Sequence, residues 1–366
     1  MLTVDGQTVC EDNDKNSDMS DINNILVIRN DKLGDFMLAW PAFSLLKKQY
    51  PQATITALLP AYTIPMAEIC PWIDDCITDV QHNSTIPAAL SLSKKIKNKN
   101  FDAAITLFSE FRTGLAVWLS GIPIRVAPAT KLAQIFYNNK LPQRRSKSEK
   151  PEHAYNVDLV KYFVQLTAQT PCELQPQPYL SFNSREITSI RENFKHKNNI
   201  DTARKLIFFH PGTGGSAINL TNEQYSEIAN IISRSINCHI VITAGPDELT
   251  TAKKLSKLLP DAEHSIYHST DGIVSFSKFL SIADLLISGS TGPLHIAGAL
   301  NRPTAAFYPA RRSATPLRWQ TLNQEDRRLS FTPAKHIDDN DMKSIDPVSS
   351  AGAIIHFLST QNSDDC

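Results

Sequence analysis

The stretch ILVIRNDKLGDFMLAWPAFSLLKKQY, from Ile25 to Tyr50, decides the fold. Its apolar opening, Ile25 to Ile28, shows no alternation, which is how a strand covered on both faces reads. A short polar loop with Gly34 follows. Leu38, Ala42, Leu45 and Leu46 then recur at helical spacing, so residues 36–50 predict one amphipathic helix. Strand, loop and helix in that order begin a parallel βαβ unit.

Working outward, ATITALL (Ala53 to Leu59) and FDAAITLF (Phe101 to Phe108) read as further buried strands, with helices near 85–98 and 110–120 between and after them. After a helix near 153–168 the Pro-rich TPCELQPQPYL (Thr170 to Leu180) breaks the rhythm and favours an extended connector. The pattern then restarts: KLIFFH from Lys205, CHIVITAG from Cys238, DLLISG from Asp284 and PTAAFY from Pro303, with helices beginning near 222, 248 and 293. The expected class is α/β, with two Rossmann-like domains of parallel strands at 23–175 and 176–366. A helix over Val348 to Leu358 closes the chain, and residues 1–22, rich in Asp and Asn, are expected to be a disordered tail.

Composition narrows the functions. Of 366 residues, 42% are hydrophobic and 20% charged, with 37 Lys plus Arg against 37 Asp plus Glu. No overall field favours nucleic acid, and no nucleic-acid partner is expected. Six scattered cysteines form no C-x-x-C pair or zinc spacing, which fits reduced thiols and no metal. No apolar run reaches the ~18 residues of a membrane span, so the expected location is cytoplasmic.

In an open parallel sheet, ligands bind beyond the carboxyl ends of the strands, so the loops after Asn30, His210, Gly245 and Gly289 should face a cleft. In HPGTGGSA, Gly212, Thr213, Gly214, Gly215 and Ser216 precede a helix whose Thr221 and Gln224 fit a capping box. The loop reads equally as an amide cradle for a diphosphate and as a flexible turn, since its spacing is neither a dinucleotide fingerprint nor a P-loop. In SGSTGPLHIAGAL, Pro293 suits a first helical position, so the N–H groups of Ser290, Thr291 and Gly292 point toward an anion. His295, one turn on, is either a phosphate donor or a histidine packed between helix and sheet. Asp35 is either a general base or a helix cap.

Together these segments resemble the ADP-heptose:lipopolysaccharide heptosyltransferase family, glycosyltransferase family 9, from about Ile25 to Trp319. The elements carrying the resemblance are IRNDKLGDF, HPGTGGSA, GPDE and ISGSTGPLH. The resemblance implies a GT-B architecture and an inverting, metal-independent transfer needing no cofactor beyond its donor, ADP-heptose or a related nucleotide sugar. Asp35 would be the general base. Thr213, Gly214 and Gly215 would cradle the diphosphate, with Thr291, Gly292 and His295 completing the site and Asp247 a candidate for the ribose. The acceptor would be a lipopolysaccharide core or lipid-linked glycan.

Two positions differ from the family pattern: Ile218 stands where many members carry lysine, and Ser290 where many carry aspartate. Lys32, Arg29, Arg311 and Arg312 are candidate replacements for the missing cation. The basic run Lys131 to Lys150, with Arg144, Arg145 and Lys147, is either a solvated charge run or an attractor of acceptor phosphates. On the second reading Phe136 and Tyr137 rest at the membrane surface, a peripheral contact at most. A GT-B transferase for another sugar nucleotide, and a nucleotide-sugar-binding protein without catalysis, remain open alternatives.

Overall fold

The computed structural model of the protein describes residues 22–80, 85–130, 132–215, 218–334 and 338–361. The expected tail, Ile22 apart, lies outside them; Ile22 itself packs against the core.

The first half runs β1 (Asn24–Ile28), α1 (Leu33–Met37), α2 (Trp40–Gln49), β2 (Thr54–Pro60), α3 (Ile64–Glu68), β3 (Asp75–Asp79), α4 (Thr85–Lys97), β4 (Ala103–Thr106), α5 (Phe111–Leu119), β5 (Ile124–Pro128), β6 (Asn139–Leu141) and α6 (Glu152–Leu166). The second half runs α7 (Ser184–Lys197), β7 (Lys205–His210), α8 (Asn222–Ser235), β8 (Cys238–Ala244), α9 (Leu249–Lys257), β9 (His264–His268), α10 (Gly272–Leu280), β10 (Leu285–Gly289), α11 (Gly292–Ala299), β11 (Thr304–Phe307), β12 (Arg328–Phe331) and α12 (Pro347–Thr360).

Each half holds a six-stranded sheet, ordered β3-β2-β1-β4-β5-β6 and β12-β11-β10-β7-β8-β9. Every pairing is parallel. Both sheets have the dinucleotide-fold order, and the direction of winding reverses between β1 and β4 and between β7 and β10. Crevices open at such reversals, beside the loops that carry Asp35 and the glycines.

The helix expected over 36–50 is two helices. Pro41 sits at the start of α2; it has no N–H for the Met37 carbonyl and its ring crowds that carbonyl, so the helix stops at Met37 and restarts at Trp40. Both helices bury apolar side chains in the core, Phe36 and Met37 from α1 and Trp40, Phe43, Leu45 and Leu46 from α2.

One apolar cluster runs through both halves, joining Val27, Phe36, Trp40 and Phe163 of the first to Leu206, Phe208, Phe279 and Ile296 of the second. Through the connector, the backbone N–H of Cys172 donates to Gln49 and Lys48 donates to the Glu173 carbonyl, whereas the N–H groups of Tyr179 and Leu180 both donate to the Ala299 carbonyl. Helix α12 covers α8, with Ala351, Ile354 and Leu358 buried.

Candidate active site

Beyond β1 the chain enters a buried ion-pair network. Arg29, 1% exposed, places Nε 2.9 Å from Asp31 Oδ1, Nη2 2.6 Å from Asp35 Oδ1 and Nη1 2.8 Å from Glu152 Oε1. Asp35 stands in the first turn of α1 without capping it: the N-cap position is Lys32 and no side chain caps the helix. Burial raises the Asp35 carboxyl above its ordinary range, with Arg29 opposing the shift. Burial likewise pushes Asp31 up to about 8.

In the second half, the glycine loop after β7 turns through left-handed backbone at Gly214 (φ 52°) and Gly215 (φ 72°), conformations that cost glycine little. Its N–H groups are not all free. Glu248, at the start of α9, turns its carboxylate into the loop: Oε1 accepts from the Gly214 N–H at 2.8 Å and Oε2 from the Gly245 N–H at 3.0 Å. A Cβ on Gly212 would lie 2.2 Å from the Glu248 Cδ, so a side chain there would displace the carboxylate from the loop. Buried His210 is driven toward its neutral form and lies 3.4 Å from the same carboxylate. Asp247 is exposed, so its neighbour Glu248 is the acid that meets the loop. Sequence reading overlooked Glu248, although it lies in the quoted GPDE.

The loop after β10 leads into α11 with Thr291 at the N-cap and Pro293 in the first turn, where its missing N–H costs nothing. Ser290 and Gly292 are partly exposed and Thr291 is buried. Asn219 ties this loop to the first: it donates to the Pro211 carbonyl at 3.1 Å, and its Oδ1 would meet a Cβ on Gly289 at 2.6 Å. His295, 3% exposed, is held down to about 4 by burial, so its ring is neutral near pH 7.

The two halves meet at these loops. A Cβ on Gly34 would lie 2.7 Å from the His295 Cδ2, and one on Gly292 would lie 3.1 Å from Leu33. Asp35 is therefore next to the residue that touches α11. A second meeting point is Glu152, whose N–H donates to the Arg318 carbonyl at 2.9 Å and whose carboxylate pairs with the Arg318 guanidinium. Ser148 donates to the Arg312 carbonyl, and Arg312 Nε to the Ser146 carbonyl at 2.9 Å. Neither Glu152 nor Arg318 was legible in the sequence as part of the site.

Several expectations change. Phe136 and Tyr137 do not lie at a surface: they are 9% and 2% exposed and fill the core beneath α5. The apolar side chains that do emerge there are Leu132, Ile135, Phe111 and Trp118. Arg145 is no free attractor of acceptor phosphate, because its Nη1 donates to Glu152 and to the Leu107 carbonyl, both at 2.8 Å. Arg29 is likewise paired internally, and Arg312 donates to Ser146 as described. Arg144, Lys147, Lys32 and Arg311 are exposed. Ser216 and Lys131 lie outside the described residues. Among those described, no cluster of His, Cys, Asp and Glu is placed to hold a metal ion.

Residues 89–347 match the profile of glycosyltransferase family 9 (heptosyltransferase). A Haemophilus influenzae protein named "Putative glycosyltransferase" is 45% identical over 309 residues, 84% of this chain and 89% of that one. Lipooligosaccharide heptosyltransferase 2 of Haemophilus ducreyi is 25% identical, over 80% of this chain and 85% of its own. The fold is that of Escherichia coli ADP-heptose lipopolysaccharide heptosyltransferase II, with a TM-score of 0.70 at 18% identity over 93% of this chain and 99% of that one. The two facing parallel sheets are thus a GT-B fold, and the chain belongs to glycosyltransferase family 9, the heptosyltransferases.

Proposed function

We propose that the protein transfers a heptose-like sugar, with inversion, from ADP-heptose or a related nucleotide sugar to a hydroxyl of a lipopolysaccharide core or lipid-linked glycan. The observation that carries the reading is the contact of Gly34 with His295, which sets the helix of Asp35 against the mouth of α11. Asp35 takes the acceptor proton as the acceptor oxygen attacks the anomeric carbon. The bond from that carbon to the diphosphate oxygen breaks, and its electron pair leaves with the diphosphate. The leaving group rests on N–H groups of Thr213, Gly214 and Gly215 and of the Thr291–Gly292 turn, with His295 as a neutral donor and no metal in the step. A carboxyl raised by burial is a better base for a sugar hydroxyl than an ordinary aspartate.

The division into domains falls between 175 and 176, a placement supported by the change of hydrogen-bond partners between Glu173 and Tyr179. Action is at the cytoplasmic face of a membrane, touched peripherally by Leu132, Ile135, Phe111 and Trp118; among the described residues no helix is long and apolar enough to cross one. Ile218 and Ser290 favour, as a second reading, a donor other than ADP-heptose. Calorimetry with ADP-, UDP- and GDP-sugars, followed by transfer to truncated lipopolysaccharide, separates the two. Asp35→Asn is expected to keep donor affinity and lose ~10² to 10⁴ in kcat; a variant within threefold of the parent would remove the base from the reading.

A further inference from the structure

Arg29 has one guanidinium and three carboxylates to satisfy, Asp31, Asp35 and Glu152. How much of its charge reaches Asp35 depends on how far Glu152 is satisfied elsewhere. Glu152 is 1% exposed at the start of α6, and two more guanidinium groups converge on it. Arg145 Nη1 donates to Oε1 at 2.8 Å, and Arg318 pairs with Oε2. Arg318 belongs to the second half; its guanidinium lies over the rings of Tyr155, 5.1 Å away, and Trp319, 5.4 Å away. Three carboxylates, that of Glu152 buried and those of Asp31 and Asp35 half-buried, thus meet three guanidinium groups, and one of the six groups comes from across the interface.

We infer that Glu152 is a positioning residue for transfer, and that Arg318, by neutralising it when the halves are in contact, releases Arg29 to hold and tune Asp35. The inference rests on the reading of Asp35 as the base. Arg318 reaches Glu152 only in this arrangement of the halves, since the Glu152 N–H also donates to the Arg318 carbonyl. When the halves part, Glu152 loses one cation and draws more strongly on Arg29, and Asp35 is left with less. Base strength and cleft closure are therefore linked through one guanidinium.

Charged and titratable groups surround Asp35. These are Arg29, Asp31 and Lys32 of its own loop, Glu152 of α6, Tyr62 after β2 and, next to Gly34, His295 of α11. Neutralising Glu152 removes a repelling carboxylate and frees Arg29, so the Asp35 carboxyl falls. Removing the Arg318 charge does the reverse. Disruption of packing alone lowers turnover in both variants and moves the titration in neither opposed sense.

The test is the pH dependence of kcat for Glu152→Gln, Arg318→Met and Arg318→Lys, with ADP-heptose and truncated lipopolysaccharide, alongside thermal melting and ADP binding. The acid limb should move to lower pH by about one unit in E152Q and to higher pH in R318M, and return toward the parent in R318K. Limbs that stay in place, or move together, overturn the inference. Should E152Q not fold, the R318M and R318K pair decides, because the upward shift and its rescue are required of them alone. If D35N turns over at the parent rate, the base reading itself has failed; if D35N is dead and the limbs are fixed, only the role of Glu152 and Arg318 has.

Discussion

Gly34 faces the His295 ring so closely that a methyl group on its α-carbon would lie 2.7 Å from Cδ2. His295 is 3% exposed between α11 and the first half and has little room to retreat. The missing side chain at position 34 is what lets the two halves close at this point.

Gly34→Ala should therefore push the halves apart. Overpacking of this kind costs ~1 to 3 kcal/mol when the contact is maintained. ADP rests on the second half in the proposed reading, so its affinity should change little while kcat falls. Melting, calorimetry and turnover on one preparation check this; parent values for both Tm and kcat would mean that the contact is absent in the working enzyme.

Glu248 makes a different prediction, because its carboxylate holds the Gly214 N–H that a diphosphate would need. A hydrogen bond to a charged group contributes ~1.5 to 3 kcal/mol, and each 1.4 kcal/mol is about tenfold in affinity. Withdrawing the competing charge in Glu248→Gln should tighten inorganic pyrophosphate binding by about tenfold at low salt. Pyrophosphate carries no ribose, so any effect of Glu248 on a sugar hydroxyl is kept out of the measurement. Weaker or unchanged binding would place the diphosphate elsewhere.

The parts legible in the sequence were those whose signal is local. Strands β1, β7, β8 and β10 are buried on both faces and read as apolar runs. Strands β3, β9 and β12 were missed because edge strands have one neighbour and mixed sequences such as HSIYH and DCITD. Helix α7, SREITSIRENFKHK, was missed for a related reason: mostly surface-facing, it is announced only by its Asn183 cap. Asp35, Gly214 and His295 stood out because loops at sheet reversals have recognisable turn chemistry. Glu152, Arg318 and the carboxylate of Glu248 did not, since their partners lie 123, 166 and 34 residues away along the chain and no local pattern encodes such a pairing.

His295 and His153, both held down to about 4 by burial, give the protein an acid sensitivity. The unfolded chain takes up protons near pH 6.5 and the folded one only near 4, so their contribution to stability is complete above 6.5 and is lost as pH falls toward 4. Asp31, raised to about 8, acts in the opposite sense over the same range. The test is accordingly a difference: between pH 6.5 and 5 the parent should lose up to about 2 kcal/mol more than His295→Gln. Denaturant titrations at the two pH values measure it, and parallel losses would show that His295 is accessible to protons in the folded protein.

The surface around Phe136 supplies the last expectation. Leu132 is 80% exposed, Ile135 67%, Trp118 51% and Phe111 45%, and the rings of Phe111 and Trp118 both lie against Phe136. Phe111 and Trp118 of α5 pack on the segment that carries Leu132 and Ile135, so the four exposed apolar side chains are gathered in one region rather than scattered singly. Exposed Lys140, Arg144 and Lys147 follow in the same stretch of chain, a combination suited to anionic lipid. Replacing Leu132 and Ile135 with Asp should abolish sedimentation with phosphatidylglycerol vesicles and raise KM for a vesicle-embedded acceptor. Turnover on a detergent-free, delipidated core oligosaccharide should remain that of the parent, because an acceptor without lipid makes no use of a membrane contact. Equal loss on both acceptors would assign the patch to folding, and undiminished vesicle binding would assign the membrane contact to another face.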